Sequence, residues 1–220
     1  MEGEHKMQYI DIEDLVELSK FLEKEMKNKK NELNELDGKI GDGDLGITMV
    51  NFFKGINEFA DDYRGNDIGE FLIKGGISAN NKASSTMGTL LSSALMEAGK
   101  QVKGKDNIDI EDFSMMIEAG INNISEKGGA EPGDKTLLDV LIPINNVIKN
   151  SINKSPKPNI IDEVLKTAEE NAERTKNMIA QHGRAAYYKE KSKGKIDPGA
   201  KAVVFLVEGI KKYINDSPPN

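Results

Sequence analysis

Apolar residues recur at intervals of three and four along almost the whole chain, a spacing that predicts amphipathic helices joined by short polar connections. From Ile12, the positions Leu15, Val16, Leu22, Met26, Leu33 and Leu36 mark one long helix, with Glu and Lys filling its other face. Met49, Phe52, Phe53, Ile56, Phe59 and Ala60 mark a second, stopped by Asp61, Asp62 and the turn-prone Gly65-Asn66-Asp67. A third runs from Ile68 into Gly75-Gly76, ahead of a small, polar stretch at 78–86. Residues 87–99 read as a buried helix whose small residues suit close packing. Phe113, Met116, Ile117, Ile121 and Ile124 mark a fifth behind the acidic start Ile110-Glu111-Asp112. Asp134 is placed to cap a sixth over 137–148. Pro156-Lys157-Pro158 breaks the chain before a seventh over 160–180, and an eighth covers 200–213.

No run alternates in the manner of a strand, so the expected fold is all-α. It is a single-domain barrel or bundle of about eight antiparallel helices over residues 1–220, with 1–9 as an arm and 215–220 as a tail. Every second connection is rich in Gly, Ser or Asp: 37–48, 78–88, 128–136 and 184–199. In an up-and-down assembly alternate connections share an end, so these four should converge on one rim.

Composition narrows the function classes. The chain has 220 residues, no Trp, 5% aromatic and 30% charged residues, which suits long amphipathic helices better than a β-sandwich. A net charge of −7 argues against broad binding to nucleic acid or anionic membranes. The absence of cysteine excludes disulfides, thiolate metal sites and a cysteine nucleophile. MEGEHKMQYI contains no apolar signal core and no run reaches the length of a membrane span, so a soluble, cytoplasmic protein is expected.

The chemistry concentrates in LDGKIGDGDLGIT at 36–48. Asp37, Asp42 and Asp44 lie within eight residues among Gly38, Gly41, Gly43 and Gly46, and like charges this close repel unless a cation sits between them. With no Cys or His nearby, hard, oxygen-seeking Mg²⁺ is the matching ion, and its open positions suit phosphate oxygens. The glycines allow tight turns ahead of a helix start, a natural anion site. Gly41, Gly43 and Gly46 satisfy G-x-G-x-x-G, but a helix precedes them and two aspartates in the loop would repel a pyrophosphate. An EF-hand fails on spacing, because a twelfth-position Glu is replaced by Thr48 or Phe53. The plain alternative is an Asp/Gly turn capping the next helix.

Three further segments carry candidate chemistry. KASSTMGT at 82–89 offers Ser84, Ser85, Thr86 and helix-start amides to phosphate oxygens, or else an ordinary Ser cap. GGAEPGDKT at 128–136 nearly matches a P-loop, but Asp134 intrudes between Gly133 and Lys135 and no strand precedes it. HGRAAYYKEKSKGKIDPGA at 182–200 brings Arg184, suited to a bidentate phosphate clamp or to capping a helix, and the rigid turn Asp197-Pro198-Gly199. His5 and His182 make no triad; phosphoryl transfer needs none, since positioning and charge neutralisation suffice.

Taken together, in this order and over nearly the whole chain, the four segments resemble the nucleotide-binding L subunit of dihydroxyacetone kinase. That family carries an L-D-x-x-I-G-D-x-D-x-G loop, a small-residue loop ending in G-T, a G-x-A-x-P-G-D-K-T segment and a closing G-R-A-x-Y … D-P-G-A. The resemblance implies a barrel of eight antiparallel helices with ADP or ATP at one rim, held through two Mg²⁺ ions by Asp37, Asp42 and Asp44. It implies phosphate contacts from Leu45, Gly46, Ile47 and Thr48 and from Ala83, Ser84 and Ser85. Gly128, Leu137, Arg184, Asp197, Pro198 and Gly199 would form the remaining wall. It further implies a kinase activity shared with a separate K subunit that holds dihydroxyacetone or a related hydroxy-carbonyl, and in phosphotransferase-dependent systems an M subunit that recharges the nucleotide. The chain departs from the family at Leu45, where bacterial members commonly carry His, at Thr48, where they carry Asn, and in the KASST loop. Two other functions fit the same residues: a regulatory protein that carries ADP without transferring phosphate, and a metal-stabilised helical scaffold.

Overall fold

The computed structural model describes residues 9–154 and 159–216. His5, the Pro156-Lys157-Pro158 break and residues 217–220 of the expected tail lie outside them. Eight α-helices are present among the described residues: α1 (Ile12–Asp37), α2 (Leu45–Ala60), α3 (Ile68–Lys82), α4 (Thr86–Gln101), α5 (Ile110–Gly128), α6 (Leu138–Ile152), α7 (Ile161–Arg174) and α8 (Pro198–Asp216). Each packs on its sequence neighbours, and α8 packs back on α1, so the eight close into a ring.

The core fills this ring in two connected parts. One is built around Met26, Leu33, Met49, Phe71 and Phe205, the other around Leu138, Val140, Ala168 and Val204, and Met87 and Leu91 on α4 touch both. Burying side chains of this size removes enough apolar surface from water to offset the ordering of long helices that are weak alone. The small residues expected in α4 do what their size permits: Gly88, Ser92, Ser93, Ala94, Ala98 and Gly99 are all buried.

Several boundaries differ from the sequence reading. Gly75-Gly76 does not end α3, which continues to Lys82, because both glycines are buried against α2 and α4 and packing outweighs propensity. The seventh helix stops at Arg174 and passes into a short 3₁₀ turn, Thr175–Asn177; a second 3₁₀ segment covers Arg184–Ser192. Asp134 does not cap α6. The N-cap position belongs to Leu137, and Asp139, inside the first turn, instead accepts the amides of Gly133 at 2.6 Å and Thr136 at 2.8 Å.

The sequence also gave no sign of a small antiparallel pairing between β1 (Ile10–Asp11) and β2 (Asn107–Ile108), with Ile10 opposite Ile108. Two-residue strands are too short to alternate visibly. Each leads directly into a capped helix: Asp11 and Asp109 both form capping boxes, with Asp14 and Asp112 as the reciprocal partners. Replacing Asp109 with Ala should cost about 1 kcal/mol, read as an earlier urea midpoint with an unchanged slope.

Candidate functional site

The α1–α2 loop is built around Asp37. Its Oδ2 accepts the amides of Gly43, Asp44 and Leu45 at 2.9, 3.0 and 3.3 Å, so the last residue of α1 pins the start of α2. Gly43 is needed for the turn, with φ +77°, and at Gly41 a Cβ would lie 2.1 Å from Asp37 Oδ1. One carboxylate oxygen is thus fixed by the backbone while the other is kept clear. Gly46 donates its amide to Asn34 Oδ1 at 2.8 Å and Thr48 to the Asp44 carbonyl at 2.9 Å. These amides, expected to face phosphate, are engaged within the protein.

One oxygen each from Asp37, Asp42 and Asp44 lies within 4.8 Å of the others, the group of acids among the described residues arranged as metal ligands could be. Each pair at this separation repels by about 1–3 kcal/mol in partly solvated surroundings. The consequence is visible at Asp44, where burial first, then the charges of Asp42 and Asp37, push the carboxyl above its ordinary value against the pull of Arg184. Arg184 meets Asp42 at 2.9 Å, although its side chain is 69% exposed. Three hard oxygen donors, one clamped in place and all mutually repelling, fit a divalent cation such as Mg²⁺.

The other loops stand around this cluster. Thr48 Oγ1 is 3.0 Å from Ser85 Oγ, which also accepts the Gly88 amide as the cap of α4, so the first and second loops meet through two hydroxyls. Ser84 and Ile47 are exposed at this rim and Ala83 is buried beneath it. Leu45 turns inward to a narrow apolar crevice shared with Met87, Leu137 and Gly199, at the starts of α4, α6 and α8. Gly128 packs on Leu90, and the adjacent Gly129 approaches the His182 ring.

The fourth loop ends at Asp197, 8% exposed, whose Oδ2 accepts the Ala200 amide at 2.7 Å and whose own amide is donated to Thr175 Oγ1 at 2.9 Å. Burial pushes its carboxyl up to about 7; the Ala200 amide and the Lys135 ammonium oppose this, while Asp139 and Asp37 add to it. Pro198 and Gly199 open α8 directly behind it. His182 pairs with Asp134 at 2.9 Å, and the Glu131 amide, then His182, hold that carboxyl below its ordinary value. Sequence reasoning missed Asn34, Asp139 and Thr175, whose parts depend on backbone groups brought close by the fold; only Asp139, in the first turn of a helix after a glycine loop, carried a local signal.

The arrangement matches known proteins along most of its length. The model of the DAK2 domain matches residues 39–212. The chain belongs to the DAK2 domain family. Among relatives, it is 30% identical to the ADP-binding subunit DhaL of the PEP-dependent dihydroxyacetone kinase of Escherichia coli, over 80% of this chain and 84% of that protein. It is 31% identical to the ADP-binding subunit DhaL of PEP-dependent dihydroxyacetone kinase 1 of Listeria innocua, over 86% of this chain and 89% of the relative. The native crystal structure of the dihydroxyacetone kinase of C. freundii superposes with a TM-score of 0.70 at 21% identity, covering 90% of this chain and 34% of that longer one, and shares its fold. Among the described residues of this DAK2 domain, no helix is long and apolar enough to cross a membrane.

Proposed function

We propose that this chain is the ADP-binding subunit of a dihydroxyacetone kinase and that it presents a γ-phosphoryl group to a hydroxyl held by a separate K subunit. The observation that carries the reading is the Asp37, Asp42 and Asp44 cluster at the rim where four loops meet, in a chain whose relatives are named as ADP-binding subunits of such kinases. In this reading the three carboxylates would hold two Mg²⁺ ions, which would supply charge neutralisation to the phosphates of a bound adenine nucleotide. The residues around them position the nucleotide. Thr48, Ser85 and the exposed Ser84 offer hydroxyls to phosphate oxygens, and Arg184, drawn over the cluster by Asp42, offers a guanidinium.

The Leu45, Gly46 and Thr48 amides are held by Asp37, Asn34 and Asp44, so the α2 start acts mainly by fixing the carboxylates. Gly128, Leu137 and the Asp197-Pro198-Gly199 turn form the wall away from the phosphates, and Ala83 and Ile47 flank the hydroxyl pair. The names of the relatives as PEP-dependent support a system in which an M subunit recharges the bound nucleotide. Mass spectrometry of the protein purified under native conditions should find an adenine nucleotide with Mg²⁺, and turnover of dihydroxyacetone should require the K subunit. Protein that neither retains nor binds adenine nucleotide would reject the reading.

A further inference from the structure

Lys135 combines two features that are unusual together. It is only 2% exposed, and its backbone sits at φ +63°, a left-handed conformation that glycine adopts without strain and lysine does not. Its ammonium donates to three main-chain carbonyls: Thr175 at 2.6 Å, Lys195 at 2.6 Å and Met178 at 3.4 Å. All three acceptors belong to the connection from α7 to α8, whereas Lys135 comes from the loop before α6. Burial pushes the ammonium below its ordinary value, with the charge of Asp197 opposing.

That connection is a strap with two arms. The arms are joined where Gly194 donates to the Lys176 carbonyl at 2.7 Å, where Ala180 donates to Ser192 Oγ at 3.0 Å, and where Asp197 donates to Thr175 Oγ1. Thr175 and Met178 lie on the outgoing arm and Lys195 on the returning one, so the ammonium bridges the two at their base. Arg184 lies toward the tip, against Asp42, and Asp197 ends the returning arm.

We propose that Lys135 is a positioning residue: its ammonium clamps the base of the 175–197 strap and thereby sets where Arg184 and Asp197 stand relative to the aspartate cluster. The strained backbone is explained by this clamp, because the left-handed turn aims the side chain into the strap. The consequence for ligand binding rests on the nucleotide reading above; the clamp itself does not.

The test separates backbone from side chain. Lys135→Gly relieves the left-handed strain and removes the ammonium, while Lys135→Arg keeps a charged donor. Amide hydrogen exchange followed by mass spectrometry should show peptides over 176–195 exchanging about tenfold faster in the Gly variant, with α1 to α4 unchanged and the Arg variant between it and the wild type. Titration with ADP and Mg²⁺ should show about tenfold weaker binding in the Gly variant. Unchanged strap exchange in Lys135→Gly would mean the residue serves only the turn, and exchange rising equally through α1 to α4 would make it part of the general core. An Arg variant as loose as the Gly one would remove the role of the charged donor. Any of these overturns the clamp. If the wild type binds no ADP, the nucleotide reading fails while the exchange comparison still decides the clamp.

Discussion

Asp42→Ala and Asp44→Ala should each weaken Mg²⁺-dependent ADP binding by more than about a hundredfold, since even residues that only support metal ligands cost 10- to 100-fold when removed. Both side chains are exposed at the rim and their loss relieves mutual repulsion, so the folded state should keep its helical signal and lose no stability. Asp37→Ala differs. It removes the acceptor for the Gly43, Asp44 and Leu45 amides as well as a cation ligand, and should cost about 2–3 kcal/mol of stability in addition to binding. Removing Mg²⁺ with a chelator should reproduce the binding loss in the wild type. Calorimetric titration with ADP, paired with urea unfolding, separates the two kinds of effect; undiminished ADP affinity in all three variants would reject the site.

Asp197→Asn should change the pH dependence of stability. Burial raises the folded carboxyl from an ordinary value of 3.8 to about 7, so between those values the folded state binds the proton more tightly than the unfolded one. The contribution of this group is therefore complete below the ordinary value and is lost as pH rises toward 7, by at most ~4 kcal/mol. Asparagine keeps an acceptor for the Ala200 amide without titrating. In chelator-treated samples the variant should gain on the wild type between pH 5 and pH 8, as urea midpoints would show. Parallel profiles for the two proteins would mean that the carboxyl titrates in the ordinary range.

Much of this architecture is legible in the periodicity. Leu22, Met26 and Leu33 fall on one face of α1 and are buried, and Val203, Val204, Phe205 and Val207 are buried on α8, as the apolar spacing requires. The gathering of four loops followed from alternation of connections, and Thr48 with Ser85 and Asp42 with Arg184 are pairs far apart in sequence that meet there. What the sequence hid depends on the third dimension. Asp134 has the residue type and position of a helix cap, yet His182, 48 residues away, and the Glu131 amide claim it. Lys135 looked like half of a failed P-loop, and nothing local shows that its ammonium meets carbonyls 40 and 60 residues further on. Short-range pattern reports which face of a helix is buried; it does not report which backbone groups lack partners until distant segments arrive.

The return of α8 onto α1 has a further consequence. Phe21 and Tyr213 pack at 5.7 Å, Tyr213 reaches Glu17 at 3.3 Å and Lys212 reaches Glu25 at 2.5 Å, so the first half of α1 lies beside the last turns of α8, at the end of the ring away from the aspartates. The eight helices form a cycle of contacts in which α8 and α1 are neighbours without a connection between them. A permuted gene that linked the end of α8 to the start of α1 and began instead between α2 and α3 would encode the same circle of contacts and leave the aspartate rim uncut.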